Sequence, residues 1–198
     1  MPISYSQKCI FVHIPKTGGT SIKAALNIPH SLENFSGGEV CKLYYKNKFV
    51  VTNHAPAKLI QMFHPSIFEK FIKFSVVRNP YDRVLSQYFY NVKKQKTNLE
   101  FSVWFKDIYT VPSAYMHCPQ YDFLYDENVC LVENILKFEN LENDFFAFCK
   151  KYNISTSTLP KLNVNELFVD KESLLTETNK EYIYNKFEID FKTFNYEK

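Results

Sequence analysis

Residues 9–26, CIFVHIPKTGGTSIKAAL, restrict the fold more than any other part of the chain. Cys9 to Ile14 is an apolar run rich in β-branched and aromatic residues, and Pro15 closes it, which predicts a buried parallel strand. Two glycines follow. From Thr20 to Asn27 the apolar residues Ile22, Ala25 and Leu26 take helical spacing, with Thr20 or Ser21 placed to cap the start. A strand that turns through glycines straight into a helix is a building unit of parallel α/β sheets. The chain has only four glycines in 198 residues, and Gly18 and Gly19 stand side by side at this junction. A residue without Cβ there allows close approach of the backbone to a ligand.

The start of such a helix concentrates unpaired N–H groups and positive dipole, so the N–H groups of Thr17 to Thr20 suit phosphate or sulfate oxygens. Lys16 adds a point charge, and Thr20 and Ser21 add hydroxyls. A nucleotide triphosphate loop reads GxxxxGK[ST], with lysine directly after the last glycine. Here Lys16 precedes Gly18 and Gly19, and no lysine stands before Thr20. The Mg²⁺–triphosphate reading therefore fails at two positions, and the dinucleotide pattern GxGxxG is absent.

Farther along, Lys48–Thr52 reads as a second strand that ends at NHAP, after an irregular stretch with a turn at Gly37-Gly38. Ala57–Phe71 reads as helix interrupted at Pro65, and Phe71–Val77 as a third strand broken at RNP. Tyr81–Lys94 and Phe101–Ile108 read as helices, 109–128 as a long loop over the site, and Ile135–Phe138 as a fourth strand. Leu141–Lys151 and Lys171–Phe187 are the last helices, with a loop at 159–163. Strands alternate with helices, so the expected fold class is α/β, with a mainly parallel central sheet flanked by helices, in one domain spanning residues 1–198. Ligands of such sheets bind beyond the carboxyl ends of the strands. Three of these ends carry polar chemistry: Lys16–Ser21, Asn53-His54 and Arg78.

The third end lies in FSVVRNPYDRVLSQY. Arg78 offers a planar fork of donors to a phosphate, and Ser86, eight residues on in the next helix, adds a hydroxyl. An arginine–serine anion site beside a glycine-rich one implies a ligand with phosphates at two places.

The two motifs together resemble those of sulfotransferases that use 3′-phosphoadenosine-5′-phosphosulfate (PAPS). HIPKTGGTS is similar to their 5′-phosphosulfate loop and SVVRNPYDRVLSQY to their 3′-phosphate motif. The likeness is greatest to the carbohydrate-type branch with the heparan 2-O- and chondroitin sulfotransferases. ILKFENLENDF, LPKLN and DFKTFNY extend it over nearly the whole chain. Lys137 and Asn165 depart from it, standing where members often carry Arg and Ser. The resemblance implies a P-loop-kinase-like fold, with Lys16, Thr17, Gly18, Gly19, Thr20 and Ser21 on the 5′-phosphosulfate and Arg78 and Ser86 on the 3′-phosphate. It implies PAPS as donor and a carbohydrate hydroxyl as acceptor.

In-line attack by a hydroxyl makes negative charge grow on the bridging oxygen, where a fixed cation helps most, and Lys16 suits that place. The hydroxyl must lose a proton. His54 is the candidate base, supported by the resemblance, and activity is then expected to rise with pH through the histidine range. His117 in YMHCPQ is its rival, and His13 is expected to be packed inside the first strand. Aromatic residues in 109–128 either stack on sugar rings or belong to the core. No metal is expected, because Lys16 supplies the cation. A nucleotide kinase or NTPase of related fold would need a Walker-type lysine and Mg²⁺ ligands. A non-catalytic nucleotide-binding module is the third reading.

A net charge of +3 does not suggest a surface that coats nucleic acid, and the run NVKKQK reads as a solvated helix end. Five scattered cysteines without a CxxC pair read as buried or free thiols of a reducing compartment. With no signal-peptide pattern and no apolar run near the roughly 20 residues of a membrane helix, the expectation is a soluble intracellular protein.

Overall fold

The computed structural model describes residues 2–28, 42–110, 114–156, 158–160, 162 and 171–198. The turn expected at Gly37-Gly38, part of the 159–163 loop and Asn165 lie outside them. In chain order come β1 (Ile3–Ser4), β2 (Cys9–Val12), α1 (Gly19–Ala25), β3 (Lys42–Tyr45), β4 (Lys48–Val51), α2 (Ala57–Phe63), α3 (Pro65–Lys70) and β5 (Ile72–Val77). The second half holds α4 (Pro80–Lys93), α5 (Phe101–Thr110), α6 (Tyr121–Leu124), β6 (Tyr125–Asp126), β7 (Val129–Cys130), β8 (Asn134–Lys137), α7 (Leu141–Lys151), α8 (Lys171–Leu174) and α9 (Glu177–Thr193).

The central sheet has the order β1-β2-β5-β8. β2, β5 and β8 are parallel, and β1 adds a short antiparallel edge. All four residues of β2 are buried, as a strand covered on both faces requires. Alternation sends Cys9 and Phe11 to one face and Ile10 and Val12 to the other. The first pair packs with Ile22, Leu26, Phe74, Phe145 and Phe148, joining the sheet to α1 and α7. The second pair packs with Leu59, Ile60, Phe68 and Phe123 from α2, α3 and α6. A third apolar cluster joins α4, α5 and α9 through Leu85, Trp104, Ile183 and Phe187.

The strand at Lys48–Val51 forms, but not in the central sheet. It pairs antiparallel with β3 in a separate hairpin, with Tyr45 opposite Lys48. The two turn residues, Lys46 and Asn47, have φ of 47° and 58°. Positive φ at both is the backbone of a tight two-residue hairpin, which more often carries glycine, so the turn is hard to read from sequence.

The segment 109–128 is no open loop over the site. Its described part contains the end of α5, a 3₁₀ turn at Tyr115–His117, α6 and the β6–β7 hairpin. Tyr109, Tyr115 and Phe123 are buried in the core. The last helix starts at Glu177 and runs past the expected end at Phe187, where the backbone is non-helical and the helix kinks. Among the described residues, no helix is long and apolar enough to cross a membrane. Cys9, Cys118 and Cys149 are buried free thiols, and Cys130 is an exposed one.

Candidate functional site

The loop between β2 and α1 is held by one of its own side chains and by three from distant parts of the chain. His54 Nδ1 lies 3.0 Å from the His13 carbonyl. The buried Thr17 hydroxyl donates to the Ile14 carbonyl at 2.9 Å. Arg83 Nε donates to the Pro15 carbonyl at 3.3 Å, and Arg78 Nη1 to the Lys16 carbonyl at 3.2 Å. Lys16 has φ 70° and Gly18 φ 80°. The left-handed region costs a residue with a Cβ about 1–2 kcal/mol, so the strained residue is also the one with the charge.

Both glycines have steric reasons. A Cβ on Gly18 would come within 2.9 Å of Leu141 Cδ2, and one on Gly19 would lie 1.9 Å from His13 Nε2. The gap at Gly19 is thus filled by an imidazole of the same chain. Gly18 is the N-cap of α1, so neither Thr20 nor Ser21 caps it. Ser21 N–H donates to the Gly18 carbonyl at 3.0 Å, and its hydroxyl accepts from Leu162 N–H at 3.3 Å.

Arg78 follows β5 directly. Its backbone is gripped from both sides by Gln120, whose Oε1 accepts from Arg78 N–H at 2.9 Å and whose Nε2 donates to Arg78 O at 2.8 Å. Its guanidinium lies over Phe138, 4.1 Å from the ring centre. Arg78 Nε is buried and has no hydrogen-bond partner among the described residues. Asn79 accepts from Tyr81 N–H and caps α4, which carries Ser86.

Lys16, Gly18, Gly19, Thr20, His54, Arg78 and Ser86 line one cavity of about 560 Å³. His13, Gln87, Tyr90, Lys93, Lys94 and Phe138 line it too, and sequence reasoning does not assign them to the site. Tyr90, Lys93 and Lys94 could have been found, since they follow Ser86 at helical spacing on α4. The exposed helix end NVKKQK thus supplies part of the cavity mouth. Thr17 and Ser21 do not line this cavity. Ser21 lines a neighbouring one of about 430 Å³, with Leu141, Leu159 and Pro160, which shares Gly18 and Phe138 with the first. His117 lies against Tyr109, with ring centres 5.3 Å apart, and is not among the residues lining either cavity.

A model of the sulfotransferase family matches residues 2–197. The chain belongs to the sulfotransferase family. A sulfotransferase from Alicyclobacillus acidocaldarius is similar in structure at 19% identity and a TM-score of 0.35. The match covers 66% of this chain and 61% of that one, less than two thirds of its length. No curated protein matches the chain.

In this sulfotransferase-family chain the electrostatics of the cavity follow from burial among cations. Burial, then the nearby Arg78, lowers Lys16 to about 8. The Lys16 ammonium also lies 4.3 Å from the centre of the Tyr90 ring. Burial lowers Arg78 as well. His54 is pushed down to about 4, mainly by burial, with Lys23, Arg83 and Lys16 adding repulsion. A carbonyl oxygen only accepts, so the contact to His13 O places the proton on His54 Nδ1 and leaves a lone pair on Nε2. His54 is therefore neutral well below the usual histidine range, and the expected onset of base function moves to lower pH. In an NMR titration of the side-chain nitrogens, His54 should keep its Nδ1–H tautomer from about pH 8 down to near its lowered value of about 4. Protonation near the ordinary histidine value of about 6.5 would contradict this environment.

Proposed function

We propose that this chain, as one domain over residues 1–198, transfers a sulfuryl group from PAPS to a hydroxyl of a carbohydrate acceptor. The observation that carries the reading is that the glycine loop with Lys16, the Arg78–Ser86 pair and His54 line a single cavity. Family membership supports sulfuryl transfer in general. The donor set fits a ligand with separated anionic groups, and the Nε of Arg78, which has no partner among the described residues, leaves a buried N–H for an anion.

PAPS, when bound, supplies a sulfuryl group on a 5′-phosphate oxygen that departs with 3′,5′-ADP. Gly18, Gly19 and Thr20 line the cavity beside Lys16, where loop N–H groups and the Thr20 hydroxyl hold the phosphosulfate end. Thr17, with its hydroxyl tied to Ile14 O, adds its N–H and sets the shape of the loop. Arg78 and Ser86 hold the 3′-phosphate. Ser21 is assigned with the loop to the 5′-phosphosulfate end, beside Gly18 at the border of the second cavity.

His54 Nε2 takes the acceptor proton as the hydroxyl oxygen attacks sulfur in line. Its Nδ1–H bond to His13 O fixes the ring and stabilises the cation that forms, as a buried acceptor does. Lys16 balances the charge that grows on the departing phosphate oxygen. Negative charge in the cavity offsets Lys16 and Lys23, which raises His54 from its low value towards one more useful to a base.

Isothermal titration with 3′,5′-ADP and 5′-AMP tests the two-phosphate reading. A charge-assisted hydrogen bond of about 1.5–3 kcal/mol makes 3′,5′-ADP bind at least about tenfold tighter, and Arg78→Ala removes most of that preference. Equal affinities in the wild type would overturn the reading.

Lys16→Ala should lower kcat for sulfuryl transfer more than it weakens 3′,5′-ADP binding, because the bridging-oxygen charge exists mainly in the transition state. Equal losses in both would make Lys16 a general anion holder.

His54→Ala should leave 3′,5′-ADP affinity nearly intact and cut turnover by about 10²-fold or more. His117→Ala is the control: turnover that depends on His117 and not on His54 would reverse the assignment of the base.

A further inference from the structure

The C-terminal helix carries a carboxylate that the proposed mechanism does not use. Asp190 lies in the second segment of α9, past the kink at Phe187, and is fully buried. Its two oxygens accept from two successive backbone N–H groups at the start of α6. Oδ2 accepts from Gln120 N–H at 2.8 Å and Oδ1 from Tyr121 N–H at 2.9 Å. Arg83 Nη1 is 4.0 Å from Oδ2. Burial raises the Asp190 carboxyl to about 6, against the opposing pull of Arg83 and these N–H donors, so it is ionised at neutral pH. A buried charge persists only where it is paired and hydrogen-bonded, and both conditions hold here.

The partners of Asp190 are the residues that set the anion site. Gln120, whose N–H it holds, grips both the N–H and the carbonyl of Arg78. Arg78 in turn donates to the Lys16 carbonyl. Arg83, the second partner, donates to the Pro15 carbonyl and, through both terminal nitrogens, to Cys118 O at 3.1 Å. Two routes leave one carboxylate and end on adjacent carbonyls of the same loop.

We infer that Asp190 is a positioning residue of the anion site, acting through Gln120 on Arg78 and through Arg83 on the Pro15–Lys16 loop. The inference rests on the reading of Arg78 as the holder of a 3′-phosphate. An unsupported α6 start lets Gln120 turn, Arg78 loses its two-sided grip, and the spacing between the arginine and the loop is no longer set. The substitution Asp190→Asn keeps the shape of the side chain and removes its charge. The amide that replaces the carboxylate must turn an NH₂ toward a backbone N–H or toward Arg83.

The test is calorimetric titration of the full chain with 3′,5′-ADP and 5′-AMP, which differ only in the phosphate that Arg78 holds. Asp190→Asn should reduce the preference for 3′,5′-ADP about tenfold, the loss of one charge-assisted hydrogen bond, while 5′-AMP affinity changes less. In an Arg78→Ala background it should reduce the preference no further, since the part that reaches the 3′-phosphate passes through Arg78, whereas the Arg83 route acts on the loop, which both ligands share. Gln120→Leu removes the grip and keeps the backbone N–H that Asp190 holds, so it should give the same fall and decides the matter where Asp190→Asn does not fold. Variants that melt earlier but keep the wild-type preference would make the network structural only and overturn the inference by itself. A wild type without preference would remove the Arg78 reading and this inference with it.

Discussion

Four successive backbone carbonyls, those of His13, Ile14, Pro15 and Lys16, each accept from a different side chain. The loop leaves β2 and so loses its ladder partners, yet it runs through the interior, where an unpaired carbonyl is costly. The donors that satisfy it are His54, Thr17, Arg83 and Arg78, two of which, His54 and Arg78, are also groups that the proposed chemistry uses. Satisfying the backbone and assembling the site are therefore one structural problem. The side chains of His54 and Arg78 are oriented by the same carbonyls that the loop has to hide.

The glycine pair shows how this packing is only partly legible. Side-by-side glycines at a strand–helix junction point to close approach, and the approach is there. Its partner at Gly19 is His13 Nε2, and at Gly18 the side chains of Leu141 and Phe138. A local motif reports that space is needed, not what fills it. His13 is buried, as its place at the end of an apolar run suggests, but its ring also stands 4.3 Å from that of His54. That contact joins two separate stretches of chain, and nothing in either one encodes the other.

The α/β class, the parallel strands and the helices after them are readable because burial on two faces leaves continuous apolar runs and packing on one leaves helical spacing. The pairing of β4 in a separate hairpin is not legible, because the Lys46-Asn47 turn lacks the glycine that marks such hairpins. The supporting residues are hidden for another reason. Gln120 stands in a stretch that reads as a loop, and Arg83 inside a motif already explained by Arg78 and Ser86. Asp190 has one signal: a carboxylate placed with Ile183, Phe187 and Phe191 on the buried side of α9. A charge at core spacing asks for a partner, and the partner lies 70 residues away.

The balance of charge in the cavity ties these features together. Lys16, Arg78, Lys93 and Lys94 line it, and no carboxylate is among its described lining residues. The acids near the arginines lie outside this cavity: Asp190 is 4.0 Å from Arg83, and Glu139, which accepts from Asn79 N–H at 2.6 Å, lines the neighbouring cavity instead. The cations are thus held without a carboxylate among the described residues that line the first cavity. Burial is the first cause of the lowered pKa values of Lys16, His54 and Arg78; nearby cations add to it at Lys16 and His54, whereas Asp82 and Glu139 oppose it at Arg78. Cations gathered without counter-charge repel one another until an anion joins them, so their repulsion becomes selectivity for an anionic ligand. In the proposed reaction His54, held neutral mainly by burial with Lys23, Arg83 and Lys16 adding repulsion, is the group that accepts the proton, and the charge that enters with the proposed anionic donor strengthens it as a base.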